Sequence, residues 1–218
     1  ALDLCERTGA DRSTALMLGN VAMCDARLCR YESSRLLYER SSEVLRRLGD
    51  DRGLANALGN LGLNLIHQGD LAGARSCYEE SQALLQRIGD EWCVALVRMN
   101  LAEVAAHEGH YDLAEDLLSQ CLEAFRMLDD DRLTAQATCD LAQVAILQGD
   151  LPRAISLLEE SLTTCRALGD DDLAVTCLLR LGRAARLQGE LRRAAATYAD
   201  AAVVQRRSSD AMMTAELL

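Results

Sequence analysis

A fixed period governs this sequence. Residues 11–50, 51–90, 91–130, 131–170 and 171–210 lie in register without an insertion, five copies of a 40-residue unit. Self-similarity at a period of roughly 20 to 50 residues means that each copy is one small structural unit, unable to bury its apolar face alone and obliged to stack on its neighbours. Leu61, Leu101, Leu141 and Leu181 form one column with Val21 at its head, and Gly62, Ala102, Ala142 and Gly182 stand beside it with Ala22. Twelve positions on, a small residue returns as Ala74, Ala114, Ala154 and Ala194, with Ser34 in the first copy. The copies differ at most other positions, which is the mark of natural divergence and not of a consensus design.

Within a copy the apolar spacing is helical. Leu54, Leu58, Leu61 and Leu65 recur at steps of four, three and four, one stripe of a 3.6-residue helix. Gln68-Gly69-Asp70 interrupts, and Leu71, Ala74, Tyr78, Ser81, Leu85 and Ile88 follow at steps of three and four before Gly89-Asp90 closes the copy. Glycine adopts the left-handed conformation that ends a helix, and the next carboxylate can cap the following one. The same punctuation recurs at Gly49-Asp50, Gly109-His110, Gly149-Asp150, Gly169-Asp170 and Gly189-Glu190; the first copy has Cys29-Arg30 where Gly-Asp is expected. Short side chains suit a close helix crossing, so Gly62 is expected to face Ala74. Strand-like alternation is missing throughout. The spacing therefore predicts an all-α chain, an α-α superhelix of antiparallel helix pairs, running as a single array over residues 1–218.

Composition narrows the function. Half of the residues are hydrophobic but only 3% are aromatic, so Leu, Ala and Val must build the core. The net charge is −11, from 34 acids against 23 bases that are all Arg. Such a chain repels a phosphate backbone, so neither nucleic acid nor an anionic membrane surface is expected as a partner of this segment. No run of about 18 apolar residues is present to span a bilayer, and the start, ALDLCERTGA, is not expected to be a secretory signal. A cytoplasmic protein follows. Nine cysteines with no CxxC pair read as reduced thiols that fill small gaps in the core, with Cys77 and Cys121 as candidates for exposure, and Trp92 is expected to pack between helices. There is no phosphate loop, no GxSxG elbow, no HExxH and no Rossmann glycine run, so neither catalysis nor a cofactor is expected.

The string NLGLNLIHQGDLAGARSCYEES, residues 60–81, resembles a tetratricopeptide repeat, with Leu61, Gly62, Gly69, Asp70, Ala74 and Tyr78 at that family's signature spacings. All five copies share the likeness. The 40-residue form, punctuated by LGD and QGD, is similar to the arrays of bacterial LuxR-type and MalT-like transcriptional regulators and of large signalling ATPases. The resemblance implies a non-catalytic scaffold that holds a protein or peptide in a concave groove lined by the first helices, as the sensor or interaction arm of a larger bacterial regulator. The alternative it leaves open is a sensor of a small inducer, held in an all-helical pocket.

The same resemblance places Asn20, Asn60, Asn100, Asp140 and Arg180 on the inner face, one per copy. An amide donates and accepts at once, which suits a peptide backbone; equally, each Asn could bond to the neighbouring helix and hold the stacking in register. One turn along, Glu103, Gln143 and Arg183 continue the face, and Arg180, Arg183 and Arg186 form a basic stripe able to fork onto a partner's carboxylates. The third copy is the most acidic and the fifth is basic, so the face is expected to be bipolar. His67 and His107 are in register along it, and Glu103 one turn before His107 gives at most a weak suggestion of a metal site or an acid–base pair; a metal is not expected.

Residues 1–10 align with 41–50 and read as the end of a partial copy, while 211–218, AMMTAELL, read as the start of a further helix. A fragment of a longer protein is expected, with the alternative that residues 171–218 already form the cap. Exposed stacking ends would permit self-association.

Overall fold

The computed structural model describes residues 12–216, with side chains as far as residue 207. Among these are ten helices and no strand. Each copy supplies a first helix and a second: α1 (Arg12–Arg27) and α2 (Tyr31–Leu48), α3 (Asp51–Gln68) and α4 (Leu71–Arg87), α5 (Glu91–His107) and α6 (Tyr111–Met127), α7 (Asp131–Gln148) and α8 (Leu151–Leu168), α9 (Asp171–Leu187) and α10 (Leu191–Glu216). The expected all-α arrangement of helix pairs is observed. The chain divides into two compact units, residues 1–109 and 110–218, so α1–α5 belong to the first and α6–α10 to the second.

The helices stop and start for local reasons. Gly69 closes α3 at φ 81°, and the Asp70 amide donates back to the Leu65 carbonyl at 2.9 Å, which satisfies one of the orphan carbonyls of the last turn. Asp50, Asp70, Asp90, Asp130, Asp150 and Asp170 then each accept a backbone N–H three residues on, at 2.9 to 3.2 Å. Such a cap contributes about 1 kcal/mol. Arg30 and His110 stand at the same position without a side-chain capping bond. The turn of the first copy has the same form as the others: Cys29 takes the left-handed conformation at φ 57°, as Asp129 does at 52° in the third copy.

The first unit's core gathers Leu54, Leu58, Leu61 and Leu65 of α3 against Tyr78, Leu84 and Leu85 of α4, with Ala15, Ala22, Tyr38 and Leu45 before them and Val94 and Val104 after. The second gathers Ala142, Ala145, Leu158, Leu162, Cys165, Leu173, Leu178 and Leu181. A buried serine hydroxyl joins the two helices of a pair: Ser41 donates to the Ala15 carbonyl, Ser81 to Ala55 and Ser161 to Ala135, at 2.8 to 2.9 Å.

Several expectations need correction. The Gly62 position also meets an aromatic ring that the sequence did not announce: a Cβ on Gly62 would lie 2.7 Å from the fully buried Tyr78 ring, and one on Gly182 would lie 2.5 Å from Tyr198, while in the first copy Ser34, at the Ala74 position, donates to the carbonyl of Ala22, at the Gly62 position. The glycine makes room for an aromatic ring. Val21 heads the leucine column but is 44% exposed. Trp92 is 43% exposed; it occupies the position where Arg52 and Arg132 reach out to pair with Asp90 and Asp170, an outward-pointing place. Cys121 is buried, at the serine position of the helix pair, while Cys24 and Cys29 are exposed and Cys77 half-buried. Finally α10 runs on to Glu216 without the break expected at residue 210, since Ser208-Ser209-Asp210 replaces Leu-Gly-Asp and supplies no left-handed glycine. Residues 1–10, read as part of a further copy, lie outside the described residues.

Candidate functional site

The face expected to bind is built from one turn-spaced row on each first helix. In the first unit α1 touches α3 and α3 touches α5, so Asn20, Asn60 and Asn100, which share one position in the repeat, lie on adjoining helices. Asn20 and Asn60 are exposed and Asn100 is half-buried, and none of the three makes a side-chain hydrogen bond among the described residues. Each presents a free donor and acceptor. Around them the surface is mixed: Leu16, Met23 and Leu63 are exposed at 43 to 52%, and Asn56 is exposed one turn before Asn60. Leu16 and Asn56 belong to the row and were not singled out in the sequence, although they sit four positions before Asn20 and Asn60.

The histidines divide. His67, at the last turn of α3, stacks on Tyr31 of α2 with ring centroids 5.0 Å apart and planes 21° apart. Both rings line a surface hollow with Cys29, Arg30, Glu32, Ser33 and Gln68. His107 lies on α5 with its Nε2 3.9 Å from Glu103 Oε1, both half-exposed, a loose surface approach. No group of three or more His, Cys, Asp and Glu side chains arranged to hold a metal occurs among the described residues.

In the second unit the same repeat position is closed. Arg180 Nη1 donates to Asp140 Oδ1 at 2.8 Å and to the Cys139 carbonyl at 2.7 Å, and Gln136 donates to the other Asp140 oxygen at 3.1 Å. Charge that looked available to a ligand is thus spent between α7 and α9. Gln143 is half-buried, while Arg183 and Arg186 are exposed and form no ion pair among the described residues.

Burial and charge set the titration of groups around these rows. Asp90 is held below the usual carboxylate range by the Cys93 backbone N–H and the Arg52 guanidinium, and Asp50 by the Gly53 N–H and Arg12. Burial pushes the Cys77 thiol up to about 11 and raises the Tyr78 phenol, whose hydroxyl has no partner. Asn64 was missed in the sequence: it is 2% exposed, with neither amide atom hydrogen-bonded, at the position held by Val104 and Val144 in the next two copies. The polar residue in an otherwise apolar column was the available signal.

A profile of the tetratricopeptide repeat family matches residues 13–87, 53–127, 93–167 and 133–204 in overlapping registers. Among solved structures, BtubC from P. vanneervenii is similar at a TM-score of 0.74 and 19% identity, over 91% of this chain and 82% of that one. A Rap protein complexed with Competence and Sporulation Factor gives 0.82 at 14% identity, over 91% of this chain and 56% of that one. A Signal Transduction ATPase with Numerous Domains from Pyrococcus horikoshii, with a tetratricopeptide repeat sensor, gives 0.72 at 13% identity over 90% of this chain and 34% of that one. Comparison with curated proteins finds no match. No helix among the described residues is long and apolar enough to cross a membrane.

Proposed function

Since the chain belongs to the tetratricopeptide repeat family, we propose that it is a non-catalytic binding scaffold whose first-helix face in the first unit grips an extended peptide segment. The observation that carries this reading is the row of unpaired amides. Asn20, Asn60 and Asn100 recur on touching helices with no side-chain hydrogen bond among the described residues, and three spaced donor–acceptor groups suit the repeating N–H and C=O groups of an extended chain. Exposed Met23 and Leu63 beside them offer apolar contact for side chains, while Glu103 of the same unit adds a preference for a basic residue. The Rap protein complexed with Competence and Sporulation Factor and the signal transduction ATPase with a tetratricopeptide repeat sensor, each spanned only in part by this chain, support a role in recognition; the place we assign this chain is the sensor or interaction arm of a larger bacterial regulator.

The test is selection of ligands from a displayed random-peptide library, followed by affinity measurement on Asn60→Ala/Asn100→Ala. Loss of two amide contacts should weaken binding by about tenfold to a hundredfold, with helical circular dichroism unchanged. Peptides that bind the double variant as tightly as the parent would show that the face is not the site. The small-molecule reading would draw on the hollow beside Tyr31 and His67, and His67→Ala would then abolish binding where the asparagine variant does not.

A further inference from the structure

The second unit holds a cluster that the peptide-binding reading does not use. Cys139 of α7 and Cys177 of α9 are both fully buried, with Cys177 Sγ donating to Cys139 Sγ at 3.5 Å. Arg180 Nη1 lies 3.1 Å from Cys139 Sγ, and the same nitrogen bonds the Cys139 carbonyl and Asp140. Behind Cys177 stands Ser161 of α8, 3.2 Å from its sulfur and 3.9 Å from that of Cys165. The arrangement is asymmetric. One sulfur faces a guanidinium and receives an S–H; the other gives its hydrogen away and has a hydroxyl at its back.

We propose that Cys139 and Cys177 are a peroxide-responsive thiol pair, in which Cys139 is the attacking sulfur and Cys177 the resolving one, and whose disulfide ties α7 to α9. A guanidinium beside a sulfur stabilises the thiolate, the reactive form. Consistently, the S–H of Cys177, followed by Arg180, holds the Cys139 thiol below its ordinary range against the opposing effect of burial, while donation to Cys139 raises Cys177. In the first step the Cys139 thiolate attacks an oxygen of hydrogen peroxide: an S–O bond forms to give the sulfenic acid, the O–O bond breaks, sulfur loses two electrons and hydroxide leaves. In the second, Cys177 sulfur attacks Cys139 sulfur: the S–S bond forms, the S–O bond breaks, and the departing hydroxide carries the Cys177 proton away as water. The sulfurs must close from 3.5 Å to a bond length of about 2.05 Å. Arg180, whose side chain is 23% exposed, touches both Cys139 and solvent, and its swing would open a path for the oxidant.

The experiment treats the reduced, folded protein with hydrogen peroxide, blocks remaining thiols by alkylation and maps peptides without reduction. The expected product is a Cys139–Cys177 peptide pair lighter by two hydrogen atoms, formed before Cys165 is oxidised and accompanied by a higher melting temperature. Cys177→Ala should stop at a Cys139 sulfenic acid that dimedone traps, and Arg180→Met should slow the cross-link by about tenfold. If Cys139 and Cys177 are still alkylated after peroxide treatment, or if they link only in urea, the pair is a packing contact and the proposal fails. A wild-type rate in Arg180→Met would overturn the guanidinium's role.

Discussion

The two units build the same repeat position with opposite chemistry. In the first, Asn20, Asn60 and Asn100 leave their amides open to whatever approaches; in the second, Asp140 and Arg180 turn on each other across α7 and α9. A neutral amide exposed at a surface demands no partner, because water satisfies it. A charge that is three-quarters covered does demand one, since removing it from water is expensive unless an opposite charge and further acceptors stand close. Replacing Asn by Asp and Arg in successive copies therefore converts a row of open amides into a row that braces neighbouring repeats.

Glycine substitution should separate the units most strongly. Gly62→Ala drives a methyl into the buried Tyr78 ring and is expected to cost about 1–3 kcal/mol despite the better helix propensity of Ala. Gly182→Ala should cost less, because Tyr198 is only half-buried and can turn away. Chemical denaturation of the two variants measures the difference, and equal losses would break the comparison. Next, Asn64→Val removes two unpaired buried amide atoms and restores the residue type of Val104 and Val144; a gain of about 1–2 kcal/mol is expected in the same assay.

The column itself gives a smaller, sharper contrast. Asp140→Ala strands Arg180 with only carbonyl and thiol neighbours and should lower stability by about 1–2 kcal/mol. Asn100→Ala should change it by less than about 0.5 kcal/mol. Smallest is the acid response. Asp50 and Asp90 have lowered folded-state values, so the stability they add is complete above the ordinary carboxylate range, near pH 4, and is lost as pH falls through the lowered value. Asp90→Asn keeps an amide oxygen for the Cys93 cap and should flatten part of that acid limb in pH-dependent melting.

Where these features were readable follows their range. Helix ends rest on contacts three to five residues apart, so the Gly-Asp punctuation located the turns that carry it, while Cys29 and Asp129 adopt the left-handed conformation without glycine. That the row's members share a helix phase was legible from the 40-residue period, whereas its expected place on an inner face came from the tetratricopeptide resemblance. What the members of that row touch was not legible. The Arg180 contacts span 40 and 41 residues, and the thiol pair 38, so they depend on how two helices from different copies approach. The exposure of Trp92, the burial of Cys121 and the ring opposite Gly62 depend on the same approach.

The amino-acid order alone, then, determined a helical repeat array, its register and which residues share a repeat position, because those follow from periodicity and from backbone geometry within a few residues. Tertiary structure decided which of those positions remain open and which are consumed by neighbours. Only packing brings Arg180 onto Asp140 and Cys139 onto Cys177, and only packing leaves the three asparagines unpaired.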